Sequence, residues 1–142
     1  MSKISIDYHD SYLISISTDI KDRTIEIICT DGKNNSTLRF LGVKQSEFNS
    51  FTIGNIILDI ELISGKSLTD SIVDDPSFVG LLGVSKDSPY FAKIIKEIKD
   101  ESLIYISIST SYGCYGDIIC EKVEEYPTGK WNPWENAEIL KQ

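Results

Sequence analysis

The only histidine, His9, stands in Tyr8-His9-Asp10, where an imidazole beside a carboxylate has the makings of a general base. Adjacent residues of an extended strand point to opposite faces, so there the two side chains would not meet. The plainer reading is a turn whose imidazole and carboxylate serve the backbone. Ile63-Ser64-Gly65-Lys66-Ser67 carries the Gly-Lys-Ser of a phosphate-binding loop, but that loop's first glycine would fall on position 60, which is Ile60. Gly80-Leu81-Leu82-Gly83 fares no better, and no Gly-x-Ser-x-Gly elbow is present. The three cysteines, Cys29, Cys114 and Cys120, match no zinc or redox spacing and read as structural thiols. Asp74-Asp75 is too short for a calcium loop, so no cofactor and no metal is expected.

Charge is the stronger lead. Between Glu97 and Tyr126 lie seven acids (Glu97, Asp100, Glu101, Asp117, Glu121, Glu124 and Glu125) against Lys99 and Lys122, so five of the eight net negative charges fall in this stretch. Tyr112, Tyr115, Tyr126, Trp131 and Trp134 lie close by in sequence. Tyrosine and tryptophan are favoured anchors in interfaces, and an acidic field steers a basic protein. Asp100, Glu101, Glu121, Glu124 and Glu125 are therefore the expected charges of a partner-binding surface, with Tyr115 and Tyr126 as anchors. The alternative use of the same residues is a solvated sheet face with the tryptophans clamping the tail.

The elements that must position these groups are mostly strands. Isoleucine occurs 23 times, often alternating with Ser, Thr or charged residues, a pattern that suits a pleated surface. Tyr12 to Thr18 places Tyr12, Ile14 and Ile16 on one face. Thr24 to Thr30, Leu38 to Phe40 and Asn55 to Leu62 continue the pattern, the last with Ile56, Leu58, Ile60 and Leu62 together and Asp59 and Glu61 opposite. Leu103 to Thr110 and Ile118 to Tyr126 read as a hairpin joined through Gly113 and Gly116. Residues 66–85 read as irregular. Ser88-Pro89 then caps a helix over about 88–101, with Phe91, Ile94, Ile95 and Ile98 as its apolar stripe. The expectation is one α+β domain over residues 1–142: a twisted antiparallel sheet, half-barrel or sandwich-like meander, with one amphipathic helix packed on it.

The stretch Tyr8-His9-Asp10-Ser11-Tyr12-Leu13, followed by Leu38-Arg39-Phe40 with Val43 and by Asn55-Ile56-Ile57-Leu58-Asp59-Ile60, resembles a group of small bacterial proteins. Some of these are regarded as immunity proteins of polymorphic or contact-dependent toxin systems. The likeness covers about the first 62 residues. It implies a cytoplasmic antitoxin that binds and blocks a cognate toxin domain, with no catalytic residues to carry over.

Composition is consistent with that. A net charge of −8 repels nucleic acid and anionic membranes. The longest uncharged run, Ser102 to Gly116, is too short and too rich in Ser and Gly to cross a bilayer. The first residues lack the apolar core of a signal peptide, which favours the cytoplasm. The expected function is thus a non-enzymatic inhibitor of a basic toxin domain such as a nuclease, monomeric or weakly dimeric. The alternative is a small-ligand half-barrel or enzyme with His9 at the mouth of a cavity lined by Ile14, Ile27, Phe40 and Leu58. A third possibility is an assembly subunit whose edge strands pair between chains.

Overall fold

The computed structural model describes residues 8–49, 56–111 and 115–130. Among these residues eight strands form: β1 (Tyr12–Asp19), β2 (Thr24–Thr30), β3 (Asn34–Leu41), β4 (Gln45–Asn49), β5 (Ile57–Ser64), β6 (Ile104–Thr110), β7 (Tyr115–Cys120) and β8 (Lys122–Lys130). Helices α1 (Asp70–Val73), α2 (Pro76–Leu82) and α3 (Pro89–Asp100) lie between β5 and β6. The fold is α+β, as expected, with two antiparallel four-stranded sheets. Sheet A has the order β1-β2-β3-β8 and sheet B the order β4-β7-β6-β5.

The topology repeats itself. The first half of the chain makes the meander β1-β2-β3 and lends β4 to the second half's sheet. The second half makes β5-β6-β7 and lends β8 in return. The transfer happens at a corner where β3 runs almost straight into β4 and β7 into β8. There the Lys44 N–H donates to the Ile119 carbonyl at 2.8 Å and the Glu121 N–H to the Leu41 carbonyl at 3.0 Å, so hydrogen bonding continues across the bend. On the other side β1 and β5 touch through an antiparallel bridge between Tyr12 and Ile56. The Ile57 N–H donates to Ser11 at 2.8 Å and the Asp10 N–H to Ile57 at 2.9 Å. The two sheets are thus linked by backbone hydrogen bonds on both sides.

Two bulges, at equivalent places in the halves, alter the expected faces. Pairing shifts between Leu13 and Ser15 in β1 and between Ile57 and Asp59 in β5. An extra residue reverses the two-residue alternation. Leu13, not Tyr12 or Ile14, is buried, and Ile16 packs on the same core. In β5 it is Ile57 that is buried, with Ile60 and Leu62 beside it, while the side chain of Leu58 lies outside the described residues. The inner core between the sheets also takes Ile27, Leu38, Phe40, Ile106 and Ile118. Each such side chain contributes roughly 1.5–3 kcal/mol by leaving water.

A second core covers the outer face of sheet B, where Phe78, Leu81, Phe91 and Ile98 pack on Tyr105 and Ile119. Helix α3 forms where expected, with the Ser88 hydroxyl accepting the Tyr90 N–H at 3.2 Å. The reading of residues 66–85 as irregular is corrected: they hold part of the 3₁₀ turn Gly65–Ser67, α1 and α2. The start and stop of α2 are written in the sequence. Asp75 caps it, Pro76 takes the first position, and Gly83 ends it at φ 70°, a conformation that favours glycine. Cys29 and Cys120 are buried thiols, both pushed up to about 12 by burial, whereas Cys114, Tyr112, Trp131 and Trp134 lie outside the described residues. Among the described residues no helix is long and apolar enough to cross a membrane.

Candidate functional site

The seven residues expected to bind a partner do not share one surface. Asp100 ends α3 and Glu101 caps it, both exposed at a helix C-terminus, where the backbone carbonyls already supply negative potential. The pairing of Ile104 with Cys120 brings that terminus to the end of sheet B that carries Glu121. Glu121 is engaged by Lys44, with Nζ to Oε1 at 3.1 Å. Glu124 lies on the outer face of sheet A opposite Arg39, whose Nε stands 2.9 Å from Glu26 Oε1. The Tyr126 hydroxyl donates to Glu124, which raises the tyrosine's pKa. Glu125 alternates to the inner side with Val123 and accepts the hydroxyl of buried Tyr8 at 2.8 Å. These three carboxylates are thus engaged by Lys44, by Tyr126 and by Tyr8 respectively.

Tyr115 stands apart, on the outer face of sheet B at 43% exposure. It leads to a site whose residues are scattered along the sequence and meet only across the sheet. Cross-strand register aligns Glu61, Ser107, Asp117 and Glu47 in one row across all four strands of sheet B. The next outward-facing row holds Asp59, Ser109, Tyr115 and Asn49. The row on the other side, with Ile63, Tyr105 and Ile119, is the one the helices cover. The helix layer therefore ends along the acidic row and leaves a ledge. Neither exposed row contains a lysine or arginine. Glu47, Asp59, Glu61 and Tyr115 are exposed, and the amide of Asn49 donates to Glu47 Oε1 at 3.4 Å.

Asp117 forms the back wall. It is 3% exposed and accepts the Tyr105 hydroxyl at 2.7 Å, while the Tyr105 ring meets Phe78 edge-on with centroids 5.0 Å apart. Burial raises its pKa, the nearby Asp75 and Glu47 charges raise it further, and the bond from Tyr105 opposes them. Asp75 is held the other way: the Ser77 hydroxyl and N–H, at 2.7 and 2.9 Å, lower its pKa. The ledge thus has one firmly ionised acid at the start of α2 and one desolvated acid behind it. Asp59 and Glu61 face away from the apolar side of their strand, as the alternation predicts. Glu47 carried no comparable pattern, because β4 has no alternation to announce it.

His9 and Asp10 occupy an exposed turn closed by the Ser11 N–H on the Tyr8 carbonyl at 2.9 Å. Asp10 has φ 66°, so the strand geometry that would separate the pair does not apply, and Nε2 lies 3.6 Å from Oδ2. Ile27 and Phe40, two expected cavity walls, are packed to 1% and 0% exposure. Two depressions of about 300 Å³ occur elsewhere: one beside β4 and the β1–β2 turn, the other on sheet A next to Glu26 and Arg39. Neither is lined by His9. Among the described residues no group of three or more His, Cys, Asp or Glu is arranged to hold a metal ion. No known family model matches the chain, and no curated protein matches its sequence.

Proposed function

We propose that this protein is a non-catalytic inhibitor of the immunity type, cytoplasmic, which docks on a basic protein domain and covers that domain's active site. The observation that carries the reading is the acidic ledge: Glu47, Asp59, Glu61 and Asp75 border a half-covered sheet face whose two exposed rows hold no lysine or arginine, with Tyr115 exposed in the outer row. An anionic surface of this kind steers a cationic partner and sets its orientation, and an exposed tyrosine beside it buries area at small rotamer cost. A toxin whose site holds phosphates is positively charged and so fits the ledge. Asp100 and Glu101, exposed at the C-terminus of α3, extend the field at the far end of the same sheet; Glu121 is paired with Lys44. Glu124 and Tyr126 belong to the opposite outer face and take no part in the ledge.

The test is calorimetric titration of the full chain against the toxic domain encoded beside it, at low and at raised salt. A tight complex that weakens with salt is expected, because exposed charge pairs are screened. Joint reversal of Glu47, Asp59 and Glu61 to Lys should abolish both binding and protection of cells. Binding indifferent to those three reversals, or no binding at all, would overturn the reading.

A further inference from the structure

Four strand edges bound the two sheets, and they are not equally guarded. Natural proteins blunt exposed edges with bulges, prolines, lysines or coverage by another element. β1 and β5 each carry a bulge, and they meet at the Tyr12–Ile56 bridge. β8 carries Lys122, Pro127 and Lys130. β4, with the sequence Gln45-Ser46-Glu47-Phe48-Asn49, has no bulge, proline or lysine, and its five residues are of ordinary strand length. Helix α2 packs against it, and Arg23 of the β1–β2 turn bonds to Val43 just before it. It is outermost in sheet B, and among the described residues no strand pairs its far side. Beside it lies the depression of about 300 Å³ between Thr18, Asp19 and Arg23 on one bank and Val43, Gln45 and Ser46 on the other.

We propose that the outer edge of β4 receives an extended segment of the basic partner protein as a fifth strand of sheet B. This rests on the partner-binding reading and adds the mode of capture. Main-chain hydrogen bonds along β4 supply affinity without reference to sequence, and the side-chain positions supply choice. Glu47 ends the acidic row, so the residue opposite it in the added strand would sit beside the carboxylate, about 5 Å away between Cβ atoms. That position takes Lys or Arg. The residues flanking it turn to the inner side, toward Ser46 and Phe48, where Phe48 packs on the inner core. Those positions take small or apolar side chains. The segment recognised is therefore apolar-basic-apolar in alternation.

The probe is the blocked peptide Val-Lys-Val-Lys-Val titrated into the isotope-labelled full chain. The amides of Gln45 to Asn49 should shift and gain exchange protection, and the same peptide with alternate backbone nitrogens methylated should not bind. Glu47→Lys, an exposed change that spares the core, should weaken the lysine peptide by about tenfold and favour Val-Glu-Val-Glu-Val instead. Equal binding of the methylated peptide would overturn strand addition while leaving the acidic ledge intact as a docking surface. Shifts confined to β1 or β8, or no shift in β4 at millimolar peptide, would overturn it as well. Failure of the toxin titration with normal β4 capture would instead remove the inhibitor reading alone.

Discussion

Sheet A and sheet B are built alike, each a three-stranded meander completed by a borrowed strand, yet their outer faces have opposite characters. In sheet A the first two strands are joined by a turn of four residues, 20–23, and among the described residues no helix packs on its outer face. It is correspondingly self-sufficient: Arg39 stands in register between Glu26 and Glu124, and Tyr126 bonds to the latter. In sheet B the same connection holds the three helices, which bury one row and stop at the next. The bare sheet sets an arginine between its acids, whereas the half-covered one keeps a strip of acids with no cation in their rows.

Substitutions can break or sharpen this contrast. The largest effect should come from Phe78→Ala in the helix layer, a loss of about 3–5 kcal/mol in urea unfolding, whereas Tyr126→Ala on the bare face should cost no more than about 1 kcal/mol. Comparable losses would mean that the helix layer is not the stabilising half. Asp75→Ala removes the cap of α2 and should cost about 1 kcal/mol, with Asp75→Ser recovering most of it. Asp100→Asn should stabilise by about 0.3–1 kcal/mol, since an anion at a helix C-terminus opposes the backbone dipole. A gain in stability together with weaker partner binding would mark that acid as kept for its field.

The last test is a change of slope. Asp117 has its pKa raised by burial and by Asp75 and Glu47, so the native state holds its proton more tightly than the unfolded chain. Its favourable contribution is present below the ordinary carboxylate range and is lost as pH rises through the raised value. Asp117→Asn keeps an acceptor for Tyr105 and should flatten stability over that window. The variant should have no advantage at pH 3 and a full one at pH 7, read from paired thermal melts. Parallel curves would place the destabilising charge elsewhere.

Much of this was legible from residue order. The alternation of β2 and β6 and the Ser88-Pro89 start of α3 appear within a residue or two of where the pattern puts them. What failed did so for local reasons. β4 has no alternating apolar residues and is a strand only because β7 pairs with it, through neighbours some 70 residues away. The bulges invert the faces of β1 and β5 without any glycine or proline to mark them. Helix α2 has both ends spelled by Asp75-Pro76 and Gly83, but at seven residues with Gly80 inside it is too short and too glycine-bearing for a helical period to stand out. The candidate surface was drawn along the chain, from Glu97 to Tyr126, whereas the acids that gather do so across it. Only Tyr115 and Asp117 belong to both, and Asp117 is a wall behind the ledge.

The reciprocal loan of β4 and β8 has a consequence for how the molecule can be divided. A backbone cut within 50–55 would leave two pieces, each holding three strands of one sheet and the edge of the other. Neither piece owns a finished layer, so co-expressed fragments should recover the fold by complementation, while each alone should aggregate or be degraded. The same interlock gives two whole copies a way to trade halves, each piece finding in its neighbour the contacts it has lost at home.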